Sequence, residues 1–351
     1  MTFLLYGATG YTGGLIARRA LALGLRPTLA GRNSEALARI ADELDLPYRV
    51  AAVDGSPAID RMMDGHAVVL NCAGPFSRTA SAIAAACIRG GVHYLDITGE
   101  MAVFESMAAR DADAKRAGVM LLPGVGFDVV PSDCLAAYVA QRLPSATRLV
   151  IAIQGSGGIS RGTALTSIEG LGAGRGSGAI RRAGRIVRVP AAWKTRLVDF
   201  GGGPVRVTTM PWGDVSTAYH STGISDIEVY MAIPASLRRL MRYGRFLLPV
   251  VASVPARRWL ERRVRRGAPG PDAEHRARGS SRFWAAASDE HGRTATARLL
   301  APEGYELTAR TAVECVSRVL RGDAQPGFRT PSNAYGPDLI LAVDGVSRDN
   351  V

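Results

Sequence analysis

Short apolar runs alternate with stretches of helical spacing through the first third of the chain. Thr2–Tyr6 is an apolar run of strand length, and Leu15–Leu23 carries Ala, Leu and Arg with helical character. The same alternation repeats: strand 27–30, helix 35–44, strand 48–53, helix 58–63, strand 67–71, helix 79–89, strand 94–97, helix 103–117 and strand 119–122. Strands separated by helices form parallel pairs with right-handed crossovers, so this region predicts a doubly wound parallel sheet. Beyond Gly126 the rhythm changes. A helix is expected to about Leu143, followed by strands near 148–154, 180–189, 194–199, 205–210, 216–221 and 227–233, with a short helix at 162–171. Two further strands, 281–288 and 294–300, flank the turn Asp289-Glu-His-Gly292 as a hairpin, and a helix follows at about 308–320. Grouped strands of this kind predict a mostly antiparallel sheet in an α+β domain. The expected division is 1–127, 128–325 and a C-terminal segment, 326–351, that returns to the first domain.

The chemistry of the first domain sits at its turns. Gly7-Ala-Thr-Gly10-Tyr-Thr-Gly13 lies between the first strand and the first helix. A pyrophosphate approaches backbone N–H groups at a helix N-terminus, and a Cβ at these positions blocks it. The spacing is GxxGxxG rather than GxGxxG, but strand, glycine turn and helix stand in the order a Rossmann-type dinucleotide site requires. Gly7, Thr9, Gly10, Tyr11, Thr12 and Gly13 are therefore candidate cofactor contacts. The second strand ends in Gly31-Arg-Asn33 with no acid to bind a ribose 2′-hydroxyl. Arg32, with Asn33 beside it, suits a 2′-phosphate instead, which selects NADP(H). Ligands of such sheets lie beyond the carboxyl ends of the strands. Asp54, Asn71, Ala73, Gly74, Pro75, Asp96, Thr98 and Gly124 all follow strands, and they complete the expected cofactor face.

Composition narrows the class. Hydrophobic residues make up 47% of the 351 and charged residues 21%, as in a folded globular protein of about two domains. The N-terminus has no basic segment ahead of an apolar one, so no signal peptide is read, and no run approaches the length of a membrane span. Cys72, Cys87, Cys134 and Cys315 are far apart, which argues against a disulfide scaffold or a metal site and fits the cytoplasm. The net charge is +12, and residues 236–278 hold twelve arginines against Glu261, Asp272 and Glu274. That concentration points away from a nucleic-acid face spread over the protein. Ser236–Leu248 and Ala256–Val264 mix Arg with Leu, Trp and Phe at helical spacing. Packing on the protein's own sheet, or a homodimer contact, ranks first for them. Attraction of a charged substrate and contact with a membrane come after.

With these segments in view, the chain resembles the saccharopine dehydrogenase-like family of NADP-dependent oxidoreductases, whose bacterial members include trans-acting enoyl reductases. The matching pieces are Gly7–Gly13, Ala30–Asn33, Asn71–Phe76, Tyr94–Glu100, Pro123–Asp128, Ser160-Arg-Gly-Thr163, Trp212–His220 and Thr330–Gly336. The resemblance implies a Rossmann domain, a mixed second domain, a C-terminal return and NADP(H) with Arg32 at the 2′-phosphate. It does not imply saccharopine as substrate.

The expected activity is hydride transfer to a C=N or activated C=C bond of a small or carrier-bound metabolite, and the protein must supply orientation and a proton. Asp128, Tyr219, His220 and Glu169 are the candidate catalytic groups, with Asp96 also at the cleft. A non-catalytic NADP(H)-responsive binding protein is the alternative. A Tyr-x-x-x-Lys mechanism is excluded, because neither Lys115 nor Lys194 lies four residues after a tyrosine.

Overall fold

The computed structural model describes residues 2–53, 57–155, 160–162, 164, 178–243 and 254–351, with backbone alone at 57, 254–257, 261 and 265. The described chain forms two compact units: Met1–Val130 with Tyr305–Tyr335, and Pro131–Gly304 with Gly336–Val351.

The first unit opens with β1 (Thr2–Tyr6), α1 (Tyr11–Ala22), β2 (Thr28–Gly31), α2 (Ser34–Leu44) and β3 (Tyr48–Val50). It continues through α3 (Pro57–Met63), β4 (His66–Asn71), α4 (Phe76–Gly90), β5 (His93–Asp96), α5 (Met101–Ala108), α6 (Asp111–Arg116) and β6 (Met120–Leu122). The strands pair in parallel in the order β15-β6-β5-β4-β1-β2-β3, where β15 is Gly327–Phe328. Phe3, Leu4 and Leu5 are all buried, as are Val68, Val69 and Leu70. Helices on both faces of a parallel sheet explain why these strands read as unbroken apolar runs rather than alternating ones. The chain order reverses between β1 and β4, so the ligand crevice of such a sheet opens beside the loop after β1.

One expected helix, 103–117, is two, because α5 ends at Ala108 and α6 begins at Asp111. The C-terminal part of the unit contains nearly all of α12 (Gly304–Leu320), in place of the expected division that puts this helix within 128–325. The reason is its contacts. Thr311 Oγ1 donates to the Val125 carbonyl (2.8 Å), and Thr308 Oγ1 accepts from Phe127 N–H (3.0 Å). After β15 and α13 (Pro331–Tyr335) the chain leaves this unit, so the return to it ends at Tyr335.

The second unit contains α7 (Val130–Arg142), β7 (Arg148–Gly155), β8 (Gly178–Arg182), β9 (Arg185–Val189), β10 (Thr195–Asp199), β11 (Pro204–Thr209), α8 (Asp214–Thr222) and β12 (Asp226–Ala232). It continues with α9 (Ala235–Tyr243), α10 (Val254–Arg265), α11 (Ala273–Arg278), β13 (Ser280–Ser288) and β14 (Thr294–Pro302), and closes with β16 (Ser347–Asn350). Its sheet runs β10-β11-β12-β7-β13-β14-β16, and only the β12–β7 pair is parallel. Ile151, Ile153, Phe283 and Ala285 are buried on one face, while Ala152, Val198, Phe200, Val207 and Tyr230 cluster on the other.

Two expectations in this unit are corrected. The single strand 180–189 is a hairpin, since Ala183 (φ 45°) and Gly184 (φ 74°) turn the chain between β8 and β9. The expected strand 216–221 is the helix α8. Its β-branched residues imitate a strand, but Gly223 at φ 72° ends a helix there and donates its N–H to the Tyr219 carbonyl (2.9 Å). Of the expected helix at 162–171, most lies outside the described residues.

Candidate cofactor site

The loop after β1 is built by close backbone approach. Gly7 takes φ +84° and donates its N–H to the Ala30 carbonyl at the end of β2 (2.8 Å). A Cβ on Gly7 would stand 2.7 Å from Ala73 N, and one on Gly13 would stand 2.4 Å from Gly7 O. Both glycines are thus fixed by backbone that cannot yield. Gly10 caps α1 without a side chain, and no acid occupies the first turn. The first turn of α1 carries the positive end of the helix dipole. This cradle fits a pyrophosphate.

Arg32, at the end of β2, is exposed and has no carboxylate partner among the described residues. Asn33 differs in role from its neighbour: its Oδ1 accepts from Ala36 N–H (3.0 Å) and caps α2. Asp54 lies outside the described residues.

The ends of β4, β5 and β6 are tied by one buried network. Asn71 Oδ1 accepts from Ala73 N–H (3.0 Å), and its Nδ2 donates to the Tyr94 hydroxyl (3.3 Å) and to Thr79 Oγ1 (3.2 Å). Thr79 Oγ1 donates in turn to the Ala73 carbonyl (2.7 Å). The Tyr94 hydroxyl donates to Asp96 Oδ2 (2.7 Å), while Asp96 Oδ1 accepts from Thr98 N–H (2.9 Å) and Gly124 N–H (2.9 Å). Asp96 is fully buried, and desolvation raises its pKa to about 6 against the opposing pull of those hydrogen bonds. Thr98 Oγ1 accepts from Glu100 N–H (3.1 Å). The side chains of Asn71, Asp96 and Thr98 hold the loops in shape, and their described bonds run to protein. Gly74–Pro75 is a cis peptide ahead of α4.

Glu100 ends the Tyr94–Glu100 segment and is a site residue that the strand ends do not single out. Its Oε1 accepts from Phe76 N–H (2.9 Å), one of the free amides of the first turn of α4. A carboxylate thus answers the α4 terminus, while the first turn of α1 contains no acidic residue of its own. Tyr305 was also missed. Its ring meets that of Tyr11 edge to face, centroids 5.1 Å apart and planes at 88°. A separation of nearly three hundred residues left no local signal for this pair.

Asp128 follows β6 on the same edge. It is half-buried, and desolvation raises its carboxyl to about 6. The other catalytic candidates belong to the second unit. Tyr219 and His220 are neighbours on α8, their rings 5.7 Å apart. The Arg181 guanidinium lies over the Tyr219 ring at 4.2 Å and is itself fixed by the carbonyls of Val215 (2.8 Å) and Gly184 (2.7 Å). Glu169 lies outside the described residues. No group of three metal-ligating side chains occurs among the described residues, and all four cysteines are free thiols.

Comparison with known proteins agrees with this geometry. Residues 3–122 match the model of the saccharopine dehydrogenase NADP binding domain. A trans-acting enoyl reductase of Mycobacterium leprae is 38% identical over 139 residues, which are 37% of this chain and 33% of that protein. Its counterpart in Mycobacterium tuberculosis is 35% identical over 138 residues, 37% of this chain and 33% of that protein. The matched stretch is thus about a third of the length of these relatives. Among solved structures, saccharopine dehydrogenase (L-Glu forming) from Saccharomyces cerevisiae shares the fold at a TM-score of 0.67 and 12% identity, covering 100% of this chain and 99% of that one. The glycine cradle, in a stretch that matches an NADP binding domain, supports a nicotinamide dinucleotide as the cofactor. Residues 3–122 of the chain are thus similar to the saccharopine dehydrogenase NADP binding domain.

Proposed function

We propose that this chain is an NADP(H)-dependent reductase acting on a C=N or activated C=C bond in a small or carrier-bound metabolite. The observation that carries the reading is the glycine cradle before α1, with exposed Arg32 at the end of the next strand. When bound, NADPH supplies the hydride. The residues of the chain supply the rest. The first-turn amides of α1 receive the pyrophosphate, and Arg32 receives the 2′-phosphate. The Asn71–Tyr94–Asp96 network fixes the loops that border the nicotinamide end.

Reduction of either bond leaves an atom that needs a proton. Asp128 suits that step, because a carboxyl raised to about 6 holds its proton closer to neutrality than an exposed one and returns it more readily than a tyrosine. Tyr219 and His220, neighbours on α8, are the other candidates. The trans-acting enoyl reductases among the relatives favour an enoyl substrate over an imine.

The test is steady-state oxidation of NADPH by the purified chain against panels of enoyl thioesters and cyclic imines. Turnover with either class, lost in Asp128→Asn, supports the proposal. Tight NADPH binding without turnover on any panel overturns it in favour of a non-catalytic NADP(H)-responsive protein.

A further inference from the structure

The arginine-rich helices α9 and α10 present apolar side chains to solvent. Leu240 is 62% exposed, Tyr243 65% and Trp259 63%, and α9 has no buried residue. This differs from packing on the protein's own sheet, one half of the first-ranked expectation; the other half, a homodimer contact, is compatible with exposed side chains. On α9, Leu237, Leu240, Met241 and Tyr243 occupy one side of the helical wheel and Arg238, Arg239 and Arg242 the other. On α10, exposed Trp259 is flanked on the helical wheel by exposed Arg262 and Arg263, while Leu260 and Val264 are half-buried. None of these arginines has a carboxylate partner among the described residues.

We propose that α9 and α10 form a surface that docks on an anionic lipid bilayer, with the apolar side chains in the interface and the guanidinium groups at phosphate headgroups. Charge decides the occupant. A second copy would bring one cationic surface against another, whereas an anionic bilayer offers opposite charge and an apolar boundary together. Tyr and Trp favour the membrane–water interface, where an amphipathic ring is both buried and wet. No helix among the described residues is long and apolar enough to cross a membrane. Each basic residue near an anionic surface adds attraction that salt weakens.

The full chain is sedimented with vesicles of phosphatidylcholine alone and with about 30% phosphatidylglycerol, at low and physiological salt. Binding to the anionic vesicles is expected, weakened by salt, with a blue shift of tryptophan emission that Trp259→Phe removes. Joint replacement of Arg238, Arg239, Arg242, Arg258, Arg262 and Arg263 by Gln should lower the bound fraction at least about tenfold. Leu240→Ser with Trp259→Ser should lower it several-fold. NADPH affinity, measured on each variant, should stay unchanged and show that the fold is intact. Absence of sedimentation, or sedimentation indifferent to these changes, overturns the proposal. So does a stable dimer that Leu240→Ser with Trp259→Ser dissociates, since a second copy then covers the surface.

Discussion

The carboxylate of Asp128 lies directly against the backbone of Gly99: a Cβ built on that glycine would stand 2.8 Å from Asp128 Oδ2 and 3.1 Å from its Cβ. The loop after β5 and the loop after β6 therefore fit together only because residue 99 has no side chain. Gly99→Ala must push Asp128 from its place. If Asp128 serves the proton step, this variant should lose turnover about as far as Asp128→Asn, while NADPH affinity changes less than about threefold. Turnover intact in both variants, measured on any discovered substrate, assigns Asp128 a structural role.

The raised carboxyl also has a consequence for stability. A carboxyl at about 6 in the folded chain, against about 4 in the unfolded one, means the folded state holds more protons between those values. Stability contributed by this group falls as pH rises from about 4 to about 6 and then stays level. Asp128→Asn removes that loss. The variant should match the unmutated chain near pH 4 and exceed it by about 1–3 kcal/mol above pH 7, with part of the difference screened by solvent. Urea unfolding at the two pH values reads it. A variant less stable at neutral pH would show that the charged carboxylate is needed as a hydrogen-bond acceptor.

Cofactor choice should follow Arg32. NADPH is expected to bind at least about tenfold more tightly than NADH, a difference of about 1.4 kcal/mol. Arg32→Ala should narrow the gap by weakening NADPH alone. Fluorescence titration of both nucleotides checks this, and equal affinities in the unmutated chain would remove the assignment.

The glycine loop predicts opposite fates for two adjacent positions. An alanine Cβ at Gly13 would stand 2.4 Å from Gly7 O, whereas one at Gly14 would stand 3.2 Å from the movable Arg18 guanidinium. Gly13→Ala should reduce NADPH affinity by about a hundredfold or more, and Gly14→Ala by less than about threefold. Similar effects of the two would mean that the loop is not the pyrophosphate site.

The Tyr11–Tyr305 pair should also be visible in binding. Tyr305→Phe keeps the edge-to-face contact and should bind NADPH normally. Tyr305→Ala removes a contact of about 1 kcal/mol and should weaken NADPH and NADH together by a few-fold, leaving their ratio intact. Calorimetry on the three proteins separates this from a change in cofactor preference.

The first unit was largely legible because its signals are local. Apolar runs such as Phe3–Leu5 have the length of strands, and the turn chemistry falls at their ends. The strand ends named Asn71, Asp96 and Thr98 correctly as edge residues, but not what they do there. A single sequence gives the position of Asp96 and conceals that its oxygens meet Tyr94, Thr98 and Gly124. Asn33 likewise looks like a ligand residue and caps a helix. The second unit was harder. Val215, Thr217 and their polar neighbours alternate as a strand would, and only the left-handed Gly223 reveals α8. Burial was illegible in α9 and α10, where amphipathic spacing is the same whether the apolar side meets a core or the solvent.

The place of α12 bears on how the protein is made. A ribosome releases the glycine loop and all of β1 to β6 long before Thr308 and Thr311 exist to hold the turn at 125–127. Until then β6 is an open edge, since its outer neighbour β15 arrives only at Gly327. The nascent cofactor unit therefore waits, incomplete, while the whole of the other sheet except β16 emerges. A fragment ending near residue 130 would remain in that waiting state, with an unpaired strand edge available to other chains.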